Sequence, residues 1–125
     1  SAAELSAVAN SVTGRLLARE LGLESEQWVL TFQSRFGKAP WLKPYTSDVL
    51  RGLGGEQLRR VDVFCPGFVA DCLETLEEMA VENRAVFLEN GGGEYRFIAC
   101  LNDRDDHVRM MEEIICGRGC VASRA

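Results

Sequence analysis

The chain has 125 residues, 46 % of them hydrophobic and 26 % charged, and a formal net charge of −5. It is long enough for one hydrophobic core and too apolar for a disordered chain. The acidic balance and the lack of a basic block argue against a nucleic-acid or anionic-membrane partner. No apolar run approaches the roughly 20 residues of a spanning helix. The N-terminal residues show neither the basic start nor the apolar centre of a signal peptide.

In chain order, Leu5, Val8, Val12, Leu16 and Leu21 recur at helical spacing and predict an amphipathic helix over residues 3–21, stopped by Gly22. Trp28 to Phe32 (WVLTF) reads as a short buried strand. Two prolines make Ala39 to Tyr45 a loop. Thr46 or Ser47 then caps a short helix through Leu53, which Gly54 and Gly55 end. Val61 to Cys65 is a second strand, and a long helix runs from Phe68 to about Asn90, stopped by Gly91-Gly92-Gly93. Tyr95 to Cys100 is a third strand. A last helix starts at Asn102-Asp103, carries Val108, Met111 and Ile115 on one face, and ends at Gly117. The tail from 117 to 125 reads as flexible.

Strands alternating with helices predict one α/β domain over 1–125 with a parallel sheet covered on both faces. Three strands are few for such a sheet, and the order opens on a crossover helix with no strand before it. This suggests that a strand, and even a domain, precedes the chain. An unprotected sheet edge and apolar patch then predict a homo-oligomer or an aggregation-prone fragment.

The chemistry concentrates in Cys65 to Glu82, CPGFVADCLETLEEMAVE, where a strand end passes through Pro66-Gly67 into a helix. Ligands bind at such places in open α/β sheets. At about 100° per residue, Glu74, Glu78 and Glu82 occupy a stripe roughly 80° wide, with Val69, Leu73, Leu76, Ala80 and Phe87 centred opposite. The bland reading is a solvated face, and Asp71 with Glu74 also fits a capping box. Against blandness, like charges at i, i+4 repel, with no basic residue between them. Such a stripe suits proton conduction or a divalent cation, and crowding should raise at least one of the pKa values. Trp41, between two prolines, should pack on the core or on a flat ligand. Five cysteines (Cys65, Cys72, Cys100, Cys116 and Cys120) form no disulfide framework, so a reduced, cytoplasmic chain is the simplest reading. Cys116 and Cys120 are too few for a closed metal site. His107 is taken as an exposed polar residue.

The stretches QSRFG, PWLKPYT, CPGFVADCLETLEE and CLND together resemble the carboxyl-terminal half of the ferrochelatases, above all the bacterial members, from about residue 12 to about 115. The resemblance implies a three-layer, Rossmann-like half of a two-domain enzyme that inserts ferrous iron into protoporphyrin IX in haem biosynthesis. Protoporphyrin, iron and the N-terminal half would be its partners. By position, Glu74 matches the essential active-site glutamate and candidate metal contact, and Glu78 and Glu82 the acidic residues leading away from it. Trp41 and Phe68 match aromatic residues of the porphyrin cleft, and Ser34 with Gln33 a position near the propionates. The histidine implied for proton removal or iron delivery would lie upstream of residue 1. His107 does not match it, so the chain alone should be inactive. Some members carry a [2Fe-2S] cluster near the C-terminus, but the number and spacing of Cys116 and Cys120 do not reproduce that ligand pattern. Two other readings stand beside this one: a non-catalytic flavodoxin-like binding module, and a chelatase for another metal or tetrapyrrole.

Overall fold

A computed structural model describes residues 2–33 and 42–122, and side chains over 11–33 and 42–117. Ser34 and Trp41 lie outside the described residues, as does the side chain of Cys120.

Helix α1 (Ala2–Glu20) leads into a single 3-10 turn at Ser25–Gln27. Helix α2 (Thr46–Gly55), strand β1 (Arg60–Phe64), a π-helix (Glu74–Glu82), α3 (Asn83–Glu89), β2 (Glu94–Ile98) and α4 (Asp105–Ala122) follow. The two strands pair in parallel, from Arg60 opposite Glu94 to Phe64 opposite Ile98. The architecture is therefore α/β with a parallel sheet, and the π-helix and α3 form the crossover. Because the strands run the same way, both carboxyl ends open at one edge, where the loops after Phe64 and Ile98 meet.

Two helix stops form as glycine chemistry predicts. At the end of α1, Leu23 N–H donates to Ala18 O and Gly22, at φ +67°, donates to Arg19 O. After α3, Gly92 N–H reaches Phe87 O and Gly91, at φ +109°, reaches Leu88 O. Both are the double carbonyl closure that a left-handed residue just past a helix allows.

Four expectations are corrected. The segment Trp28 to Phe32 does not join the sheet: among the described residues its bridge is the parallel pair Phe32–Tyr45, made by Phe32 N–H to Pro44 O and Thr46 N–H to Phe32 O. Val29 stays 57 % exposed. Apolar β-rich composition favours extension, but a strand also needs a neighbour to pair with. Helix α2 begins on Tyr45 without a side-chain cap, because the Thr46 hydroxyl donates instead to the Thr31 hydroxyl at 2.9 Å. Its end is turned by Gln57 at φ +58°, while Gly54 serves close packing: a Cβ there would stand 2.6 Å from Phe87 O. Finally, α4 breaks at Gly117 (φ 60°), but helical backbone resumes as far as Ala122.

The core lies between α2, α3 and the sheet. Leu50, Phe87 and Tyr95 form its centre, with Val61, Val63, Leu53 and Phe97 packed around them. The Phe87 and Tyr95 rings are tilted at 48° with centroids 6.0 Å apart, a favourable aromatic arrangement. The buried Tyr95 hydroxyl donates to Met79 O at 2.7 Å, which ties β2 to the π-helix. Among the described residues no helix is long and apolar enough to cross a membrane.

Candidate functional site

The helix after β1 starts five residues later than its apolar pattern predicts. Residues 65–72 are loop, and regular structure begins at Leu73. Cys72 is the effective cap: its carbonyl accepts from Leu76 N–H, and its own N–H donates to the Thr75 hydroxyl at 2.9 Å. The predicted Asp71–Glu74 capping box is replaced by this Cys72–Thr75 pair.

Asp71 is used elsewhere. Its carboxylate accepts from Asn102 Nδ2 at 2.8 Å and from the Thr75 hydroxyl at 2.9 Å, and its backbone N–H donates to Asn102 Oδ1. The Asn102 amide, aided by burial-opposing contacts from Cys100 and Thr75, holds the Asp71 carboxyl below its ordinary range. Asn102 sits at φ +49°, a conformation asparagine tolerates better than most residues. Its carbonyl takes the Nδ1 proton of His107 at 2.7 Å. His107 is therefore a buried structural histidine, not the exposed residue expected. This clasp joins the two loops at the carboxyl edge of the sheet and so fixes where the π-helix begins.

From Glu74 to Glu82 the backbone is a π-helix, a rare form found frequently at functional sites. In an α-helix a step of four residues overshoots one turn by about 40°. The wider i→i+5 turn takes more residues per turn, so a step of four no longer overshoots. Thr75, Met79 and Asn83 are buried at a spacing of four along the π segment, and Phe87 continues the row into α3. The expected core residues Leu73 and Leu76 are instead 72 % and 50 % exposed.

The same geometry stacks Glu74, Glu78 and Glu82. All three line an open groove of about 830 Å³ that Phe32, Gln33 and the residues Tyr45, Thr46, Ser47 and Asp48 also line. Phe68 does not, and lies half-buried in the loop after β1. Glu77 and Asp48 add two carboxylates that sequence reasoning missed, Glu77 because α-helical periodicity puts it off the stripe. Asp48 is paired with Arg51 at 3.0 Å. The five carboxylates of Asp48, Glu74, Glu77, Glu78 and Glu82 give the described lining an acidic character that favours cations. Among the described residues no group of three or more histidine, cysteine or acidic side chains is placed to hold a metal together. The carboxylates form a line, not a closed chelate.

Crowding does not raise the pKa of Glu74. A hydrogen bond from the Cys72 side chain, helped by the backbone N–H of Glu74, holds it below the ordinary glutamate range. Cys65, Cys72, Cys100 and Cys116 are free thiols. Burial pushes Cys65 up to about 12 and Cys100 up to about 11, so both keep their protons at neutral pH. The Cys65 thiol donates to Gln33 Oε1 at 3.4 Å, and Gln33 Nε2 donates to Glu74 O at 3.1 Å.

The ferrochelatase family profile matches residues 7–118. The chain is 57 % identical over 103 residues to a ferrochelatase of Thioalkalivibrio sulfidiphilus, covering 82 % of the chain and 28 % of that relative. It is 56 % identical over 102 residues to one of Methylobacillus flagellatus, covering 82 % and 30 %. A ferrochelatase of Chromobacterium violaceum is 56 % identical over 103 residues, covering 82 % and 28 %. The chain thus spans less than a third of the length of these curated relatives. No solved structure matches it. With the profile matching all but the ends of the sequence, the chain belongs to the ferrochelatase family.

Proposed function

We propose that this chain supplies one wall of a site that inserts ferrous iron into protoporphyrin IX, with the rest of the site contributed by further residues of a longer protein. The observation that carries the reading is the line of Glu74, Glu78 and Glu82 along a π-helix in an acidic groove. Insertion requires that a dehydrated dication reach the ring and that two pyrrole protons leave. A carboxylate with a lowered pKa is a weaker proton acceptor but a dependable negative charge. Glu74 is accordingly assigned to the cation, either the metal itself or the positive charge that develops beside it. Glu78 and Glu82 extend that charge toward solvent, and single carboxylates in a row pass a cation on more readily than a chelate that would retain it. Trp41 and Phe68 are assigned to the flat face of the porphyrin by family resemblance.

The test is the Glu74→Gln variant in the complete protein carrying this chain. Glutamine keeps size and hydrogen bonding but carries no charge, so kcat should fall by about 100-fold or more. Because the cap belongs to Cys72 and Thr75, melting should be little affected, within about 0.5 kcal/mol. Normal turnover in a folded Glu74→Gln protein would remove Glu74 from the reaction.

A further inference from the structure

We propose that Gln33 is a positioning residue for Glu74, set in place by the thiol of Cys65, and does not itself recognise the substrate. The proposal rests on the role assigned to Glu74 above. Gln33 follows Phe32, whose backbone is pinned on both sides by Pro44 and Thr46. Its side chain then links two other segments. Oε1 accepts from Cys65, the first residue after β1, and Nε2 donates to the carbonyl of Glu74, the first residue of the π-helix. Those contacts span 32 and 41 residues of sequence. One amide thereby fixes the extended segment, the strand end and the first π turn relative to each other. The Glu74 carboxylate departs from the residue whose carbonyl is held, so its place in the groove follows from that hydrogen bond.

Cys65 makes the proposal separable from direct substrate contact. It is buried and does not line the groove, so it can reach the chemistry only through its neighbours. An amide held at both ends by the protein has its orientation fixed, which leaves it less free to turn toward a ligand.

The experiment compares Gln33→Leu, Gln33→Glu and Cys65→Val with Glu74→Gln in the complete protein. Misplacing a reacting group by a small distance lowers kcat without weakening ground-state binding. Gln33→Leu should therefore lower kcat about 10-fold with KM within about two-fold. Gln33→Glu, which keeps the acceptor for the thiol but loses the donor to Glu74, should do the same. Cys65→Val should lower kcat about 3-fold, and Cys65→Ser, which restores a donor, should recover it. The double variant Gln33→Leu/Cys65→Val should be no worse than Gln33→Leu alone, because both remove one linkage. If Cys65→Val does not fold, the Gln33→Leu and Gln33→Glu pair decides the matter. A raised KM at unchanged kcat in the Gln33 variants would overturn the proposal in favour of substrate contact. If Glu74→Gln abolishes turnover while folded Gln33 and Cys65 variants keep normal kcat, the positioning role alone is wrong. If Glu74→Gln turns over normally, the assignment of Glu74 and this proposal fall together.

Discussion

The π-helix with α3 and the helix α4 differ in whether one face meets a partner. In the first, Thr75, Met79, Asn83 and Phe87 are buried, and Tyr95, Leu50 and Gly54 lie against them. In the second, Val108, Met111 and Ile115 recur at helical spacing, yet Val108 is exposed and Ile115 is 83 % exposed. The difference is not in the helices themselves. Periodicity reports that a segment can bury a face, while burial needs a partner surface that the neighbouring elements provide. The functional groove lies on the helix that has such a partner. That is physically reasonable, because a carboxylate line holds its geometry only if the opposite face is anchored.

The contrast can be tested by removing side chains on each side of it. Phe87 is fully buried at the centre of the packed unit. Phe87→Ala should cost about 3–5 kcal/mol, a large share of the stability of an ordinary domain. A large fall in the denaturant midpoint would agree with this, and a variant destabilised by less than 1 kcal/mol would show that the core centre lies elsewhere.

A smaller effect is expected from Gly54→Ala. Its Cβ would meet Phe87 O at 2.6 Å and Asn90 Cβ at 3.1 Å, so α2 and α3 would have to separate. Overpacking of this kind costs about 1–3 kcal/mol and outweighs the gain in helix propensity. A stabilised variant in denaturant titration would mean that the two helices have slack between them.

The smallest change belongs to α4. Ile115→Ser should alter stability by no more than about 0.5 kcal/mol, since the side chain is exposed among the described residues. A loss above about 1 kcal/mol in the same titration would show that something covers that face, and the contrast between the two helices would disappear.

Much of the local structure was legible in the residues. Gly22 and Gly91 stop their helices where expected, by supplying a left-handed residue just past the last turn. The runs around Val61 and Tyr95 become parallel strands. The spacing of Glu74, Glu78 and Glu82 already put them on one side of a helix, and they do share one groove. Each of these depends on bonds or side-chain spacings within a few residues, which a linear pattern contains.

What the tertiary structure decided involves partners distant in sequence. WVLTF has strand composition, but Phe32 found Tyr45 and not the sheet. Asp71 had the spacing of a cap, but Asn102, 31 residues away, claimed it, and Thr75 took over the capping of Cys72. The buried set on this helix is Thr75, Met79 and Asn83 in place of the expected Leu73 and Leu76, with Thr75 drawn in by its bonds to Asp71 and Cys72. His107 was buried by the carbonyl of Asn102, and Gln33 was drawn to Cys65 and Glu74. Polar side chains take their roles from whichever donor or acceptor the fold brings within about 3 Å, and that choice is made in space, not along the chain.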